Sequence, residues 1–220
     1  MNFLRDNWYN IGAAIFVALA FIMGFWGDQF SQIQVILIFS YMALLVHQYE
    51  EYALPGGGPI VLNRVFYGEK KDYDRYPGNK QSALVVNVLA YPFYIVPIFF
   101  PNLIWWGLAT MNVGFLQFVA HGIIMNVKGR TWYNPGLAAV VFLHIPIGIY
   151  YIAYVQQNGL TTWLDYVLGV IGLVVAYVII ILLPTRLFGR RDTPYPFSPE
   201  EVARFNVVGK LTSKGILQKA

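Results

Sequence analysis

The sequence predicts an all-α protein: a polytopic integral membrane bundle of six transmembrane helices, with both termini cytoplasmic. Three observations carry this. Six apolar stretches are each long enough to cross a hydrocarbon core of about 30 Å, which takes roughly 17–25 helical residues. Of the 220 residues, 57% are hydrophobic and 12% are charged, where a soluble domain carries about 25% charged. All fifteen lysines and arginines fall at the N-terminus, in two alternate connections and in the tail, a segregation that only a consistent set of crossings produces.

The first helix runs from about Trp8 to Trp26 and ends before Gly27-Asp28. Its start is mixed in charge, Arg5 beside Asp6, and its exit Gly24-Phe25-Trp26 is bulky, so it reads as a retained span and not a cleaved signal. The second runs from about Ser31 to Tyr52 and is stopped by Pro55-Gly56-Gly57-Gly58-Pro59. A polar loop leads to the third, about Ser82 to Phe99, where Pro92 and Pro97 predict a kink. Beyond a Pro101-Asn102 turn the fourth runs from about Leu103 to Val127. The fifth takes Asn134 as N-cap and Pro135 as first helical residue, and continues to about Val155. Gln156-Gln157-Asn158-Gly159 is a turn, and the sixth helix covers about Thr162 to Leu183. Residues 1–184 thus form a transmembrane domain, and 185–220 form a basic tail. In that tail Ser198-Pro199-Glu200-Glu201 is a capping box opening a short surface helix.

Counted in order, the N-terminus carries one lysine or arginine, the loop after helix two five, the loop after helix four two, and the tail seven. By the positive-inside rule these four segments are cytoplasmic. Arg186, Arg190 and Arg191 lie just outside the last span, a contact for anionic lipid headgroups. Sixteen Tyr, sixteen Phe and six Trp fit aromatic belts at both interfaces. The absence of cysteine excludes disulfides, thiolate metal sites and cysteine nucleophiles. Nothing in composition or motif points to nucleic acid or to an organic cofactor.

The chemistry concentrates in Leu44–Tyr52, at the end of helix two, where His47, Glu50 and Glu51 share a helical face at i, i+3 and i+4. Ionisable groups at membrane depth are costly unless paired or used. At about 1.5 Å of rise per residue, His47 lies about 9 Å inside the cytoplasmic end, His121 about 10 Å, His144 about 15 Å and Asn87 about 8 Å. Four helices therefore place polar groups in one layer, which predicts a single site. Two carboxylates with imidazoles suit a divalent transition metal such as Zn²⁺, Fe²⁺ or Mn²⁺. The candidate ligands are His47, Glu50, Glu51, His121 and His144, with the glutamate left outside the coordination sphere as general base. Asn87, Asn126 and Gln117 are candidate orienting or oxyanion-stabilising groups. The glycines at 56–58 give helix two a flexible stop, and Tyr133-Asn134-Pro135-Gly136 offers backbone N–H groups that can meet an anion.

With these residues in view, the chain resembles the HXXEE-domain family of small bacterial integral membrane proteins. The signature reads His47-Gln48-Tyr49-Glu50-Glu51, followed by His121-Gly-Ile-Ile-Met-Asn126, Tyr133-Asn134-Pro135-Gly136 and His144-Ile145-Pro146. The similarity spans about 30–180 and implies a membrane-embedded, metal-dependent enzyme of the bacterial inner membrane, with His47, Glu50, Glu51, His121, His144 and Asn126 as functional residues. A weaker similarity to the intramembrane CAAX-type proteases fails on two points. Pro55 stands where an arginine is required, and Phe118 is three residues before His121 instead of four. The function expected is hydrolysis, or a related transfer, on a lipid or other small amphiphilic substrate from the cytoplasmic side. The alternatives are a proton- or metal-ion-coupled transporter, or a structural membrane subunit.

Overall fold

A computed structural model describes residues 2–217; Met1 and the last three residues of the tail, with Lys219 among them, lie outside the described part. Among the described residues there is no strand, and six helices are long and apolar enough to cross a membrane. They are α1 (Asn2–Trp26), α2 (Gln32–Tyr52), α4 (Lys80–Phe99), α5 (Ile104–Gly129), α6 (Leu137–Gln157) and α7 (Trp163–Phe188). A short buried helix, α3 (Gly58–Val61), sits between α2 and α4, and α8 (Pro199–Ala203) and α9 (Val207–Ser213) form the tail. Both described ends lie on one face, where Lys80 bridges Asp6 of α1 and Glu201 of the tail. This is the basic face.

The helices start where their sequences provide caps. Ser31 and Gln34 satisfy each other's backbone N–H groups at the start of α2, and Asn79 and Ser82 do the same for α4. Thr162 with Asp165 opens α7, and Ser198 with Glu201 opens α8 as the sequence predicts. α4 stays helical through Pro92 and Pro97. α6 departs from expectation. It begins at Leu137, with Gly136 before it at φ 100°, and Asn134 meets it only through its backbone carbonyl, which accepts from Leu137 N. Its side chain is used elsewhere.

α2 is the axis of the bundle: thirteen of its 21 residues are buried, against four of the 25 in α1. Away from the basic face its Ile33, Ile36 and Leu37 pack with Ile104, Leu108 and Met111 of α5 and Tyr151 and Val155 of α6. Nearer the middle Tyr41, Leu44 and Leu45 pack with Tyr94 of α4.

Three spans contain a π-helical stretch: Phe118–Met125 in α5, Val140–His144 in α6 and Tyr177–Leu182 in α7. Two of them run into a proline, Pro146 and Pro184. A proline leaves a carbonyl unbonded one turn upstream and crowds it, and a wider turn absorbs the clash. The helices thereby rotate relative to a regular 3.6-residue repeat, and two of the three histidines lie in these stretches.

The connection after α2 is less polar than its charges suggest. Ile60, Val61 and Val65 are buried there together with Met125 of α5 and Val207, Leu211 and Leu217 of the tail. The tail is therefore a packed layer on the basic face, and its arginines are largely committed to the protein. Arg191 pairs with Glu69 and Asp72, and Arg190 with Asp192. The Arg191 guanidinium holds the Glu69 carboxyl down at about 2. Arg204 donates to the carbonyl of Tyr52 and packs against Gly56, while Val207 packs against Gly57. With φ of 72° and 86°, those two glycines make a tight turn under the tail, not a loose segment.

Candidate metal centre

His47 and Glu51 are one turn apart on α2, and His121 faces them from the π-helical stretch of α5. His47 Nε2 lies 3.7 Å from Glu51 Oε2, and His121 Nε2 lies 3.3 Å from Glu51 Oε1. The two imidazole rings meet edge to face, their centroids 5.0 Å apart. Each residue offers a ligand atom within 4.8 Å of the others, both histidines are 2% exposed, and the Glu51 side chain is 16% exposed. α2 therefore supplies two members of the group and α5 the third.

The hydrogen bonds behind the rings fix their tautomers. His47 Nδ1 is 3.0 Å from the carbonyl oxygen of Gly136. A carbonyl only accepts, so the proton is on Nδ1 and Nε2 presents a lone pair. The Asn134 amide donates from Nδ2 to the His121 carbonyl and to Asn126 Oδ1, both at 2.8 Å. Its Oδ1 therefore faces His121 Nδ1, at 2.7 Å, and accepts from it. In their neutral forms both imidazoles thus turn Nε2 lone pairs toward the Glu51 carboxylate, and His47 Nε2 is buried with no hydrogen-bond partner among the described residues. A positive charge at this point, whether a metal ion or a proton, would be stabilised by all three groups.

Gly136 is pressed against this group. A Cβ at that position would lie 2.7 Å from His121 Cε1, 2.8 Å from His47 Cε1 and 3.0 Å from Glu51 Cγ. Gly58 approaches Glu51 from the other side, its own Cβ position 3.0 Å from the Glu51 carbonyl oxygen.

The remaining predicted residues divide. Glu50 is turned away to the start of α6, where its Oε1 accepts from Tyr133 Oη at 2.8 Å and from Ala138 N at 3.1 Å. Its Oε2 accepts from Ala139 N at 2.8 Å. The anion that the free N–H groups of α6 meet is this carboxylate of the chain itself. Burial and the adjacent Glu50 push the Tyr133 hydroxyl up, so it stays a donor. With three donors upon it, Glu50 braces the start of α6 and stands outside the group formed by His47, Glu51 and His121.

His144 lies in the expected layer, 4% exposed, its ring centroid 5.7 Å from that of His47. It stands outside the three-residue group, and its Nε2 is buried without a partner among the described residues. Asn126 holds Asn134, as described, and also donates to the carbonyls of Gly122 and Trp132. Asn87 donates to the Ala83 carbonyl and to Tyr52 Oη, and with Gln117 it borders the cavity beside the site. Asn134 and Gly136, which the sequence marks only as a cap and a source of backbone N–H groups, stand directly behind His121 and His47.

Residues 36–151, more than half of the chain, match the family described as "Protein of unknown function with HXXEE motif". The chain belongs to this HXXEE family. No curated protein and no solved structure matches it. The matched region contains His47, Glu50, Glu51, His121, Asn134, Gly136 and His144, so the HXXEE region carries both the metal-type group and the anchor that braces it. The two glutamates of the motif have separate tasks here.

Loss of the Asn134 side chain tests the support behind His121. Groups that fix a ligand's tautomer typically change metal affinity by about 10–100-fold. Asn134→Ala is expected to weaken metal binding by about that factor without unfolding the bundle, read by competition with a chelator.

Proposed function

We propose that His47, Glu51 and His121 hold a divalent transition metal, and that the protein is a metal-dependent hydrolase or related transferase. Its substrate is a lipid or similar amphiphile. We read the basic face as cytoplasmic, from the lysine and arginine bias, and the membrane as a bacterial inner membrane. The observation that carries this proposal is the pair of Nε2 lone pairs aimed at the Glu51 carboxylate. Two imidazoles and one carboxylate are the donor set of open zinc and non-haem iron sites, in which further positions remain for water and substrate. The Glu51–His121 and Glu51–His47 separations of 3.3 and 3.7 Å compare with a tetrahedral edge of about 3.4 Å at zinc–ligand distances near 2.1 Å.

A bound metal would supply Lewis acidity toward a carbonyl or phosphoryl oxygen and would acidify water. The chain's own contribution is positional. Gly136 O and Asn134 Oδ1 hold the imidazoles in one tautomer, and Glu51 presents both carboxylate oxygens, one toward each ring. Asn87 and Gln117, on the cavity wall, are placed to orient a polar substrate group.

Metal analysis of the detergent-purified chain tests the proposal. One equivalent of zinc, iron or manganese is expected, lost in His47→Ala, His121→Ala and Glu51→Gln and kept in His144→Gln. A second reading has one support, since a proton shared between His121 and Glu51 at 3.3 Å would supply the same positive charge. Metal-free protein that moves protons across proteoliposomes, and stops doing so in Glu51→Gln, would establish that transporter instead.

A further inference from the structure

Beside the three residues lies a cavity of about 470 Å³, within the range of roughly 300–1,000 Å³ that holds small organic ligands. Its polar end is formed by His47, Glu51, Tyr52, Asn87, Gln117 and His121. From there it runs between α4 and α5 along apolar walls, with Ala90 and Phe93 on one side and Leu116 and Ala120 on the other. α7 forms the front.

Two features determine how this cavity is reached. The first is the divergence of α5 and α7. Away from the basic face they pack closely, Gly169 against Leu108 and Gly172 against Ala109. Past Ala176, α7 leans on α4 instead, and the π-helical halves of α5 and α7 separate. Val119, Val174 and Tyr177 border both this gap and the cavity, and they are 42%, 55% and 40% exposed. These residues lie within helices long and apolar enough to cross a membrane, so the part of their surface turned outward from the cavity meets hydrocarbon.

The second feature is the floor. Tail residue Phe197, 5% exposed, closes the cavity at the basic face. Its backbone N–H donates to the Asp74 carbonyl, and the Tyr195 carbonyl accepts from Lys80 N. Arg204 and Val207 cover the glycine turn beside Glu51. The cavity is thus covered at the basic face by Phe197, with half-exposed Tyr67 of the connection beside it, and opens between α5 and α7.

We propose that the occupant is a lipid of the leaflet on the basic side, which slides its hydrocarbon chain sideways through the α5–α7 gap. Its polar group then stops at Glu51 and His121, where the apolar wall gives way to polar side chains. The depth matches: Glu51 lies about 1.5 Å inside the end of α2, near the level at which a membrane lipid carries the linkage between chain and headgroup. Reaction of such a lipid at Glu51 and His121 depends on the function proposed above; its entry does not.

The test uses the full chain reconstituted in phospholipid vesicles with palmitic acid carrying a diazirine on its chain, followed by irradiation and peptide mapping. Adducts are expected on cavity residues such as Leu116 and Ala120, besides those on the outer faces of the bundle. The double variant Val119→Trp/Val174→Trp, which plugs the gap, should lose the cavity adducts and keep those on outward-facing Val170 and Ile179. Adducts confined to outer faces in the unmodified chain, or cavity adducts indifferent to the plug, would overturn the proposal. Ala90→Cys supplies an independent readout in a chain without cysteine. A membrane-soluble maleimide should modify it, whereas modification by a charged, water-soluble thiol reagent would show an aqueous entrance and reject lateral entry. Metal content is measured on the same samples. Cavity adducts that persist in metal-free Glu51→Gln would uphold entry even if the metal proposal fails, and a full metal complement without cavity adducts would sink entry alone.

Discussion

Glu50→Gln and Glu51→Gln are expected to fail in opposite ways. Glu51→Gln keeps the bundle folded and loses the metal, because it removes the charge that balances the cation and makes one of the two carboxylate oxygens an NH₂. The hydrolase or transferase activity proposed above should fall below detection with it. Glu50→Gln leaves His47, Glu51 and His121 untouched but damages the start of α6. The Glu50 carboxylate accepts from Tyr133 Oη, Ala138 N and Ala139 N. An amide can accept only through its single oxygen, so at least one of these donors meets an NH₂ instead. One buried unsatisfied donor costs about 1–3 kcal/mol, and the lost charge at a helix N-terminus adds about 0.3–2 kcal/mol. Glu50→Gln should therefore lose about 2–4 kcal/mol of stability and still take up one metal per chain when metal saturates. Thermal unfolding in detergent, with metal analysis on the same preparations, separates the two. A stable, metal-free Glu50→Gln beside an unstable, metal-loaded Glu51→Gln would reverse the assignment.

That division of labour is invisible in the sequence. Adjacent residues on a helix point about 100° apart, so one of two neighbouring glutamates had to face away from His47. Which one depends on where the 133–139 segment lies, and this is a matter of tertiary packing. The spans were legible because apolar length and the placement of fifteen cations each constrain them independently. The depth of the polar layer was legible for the same reason, since rise per residue holds across all the helices. Azimuth was not. The π-helical stretches at 118–125 and 140–144 rotate His121 and His144 away from the positions of a regular repeat, and His144 ends beside the group instead of in it. Asn134 misled because Asn-Pro before an apolar run is a sound local cap signal. Here the same amide is worth more behind His121, and the helix starts at Leu137. The tail could have been read more closely. Val207 and Leu211 are one turn apart on a short helix, a small apolar stripe, and both are buried against α3 and the residues that follow it.

Gly136→Ala is expected to empty the centre while sparing the fold, and a second glycine gives the control. Gly136 has φ 100°, where an L-residue is strained by about 1–2 kcal/mol. Gly159 has φ 63°, and a Cβ there meets nothing within 4 Å. Gly159→Ala therefore carries backbone strain alone. At Gly136 the new methyl group would also lie 2.7–3.0 Å from atoms of His121, His47 and Glu51, closer than side-chain carbons ordinarily approach. The segment cannot retreat freely, because Ala138 N and Ala139 N are held by Glu50 and Gly136 O holds His47. The side chains of His47, Glu51 and His121 must move instead. Displacing all of them exceeds the loss of one supporting hydrogen bond, which is worth about 10–100-fold in affinity. Gly136→Ala should bind metal at least about 100-fold more weakly, whereas Gly159→Ala binds normally and melts slightly earlier. Equal metal affinity in the two variants would mean that Gly136 serves only its turn, and that the close approach of the 136 backbone to His47, Glu51 and His121 has no part in shaping the site.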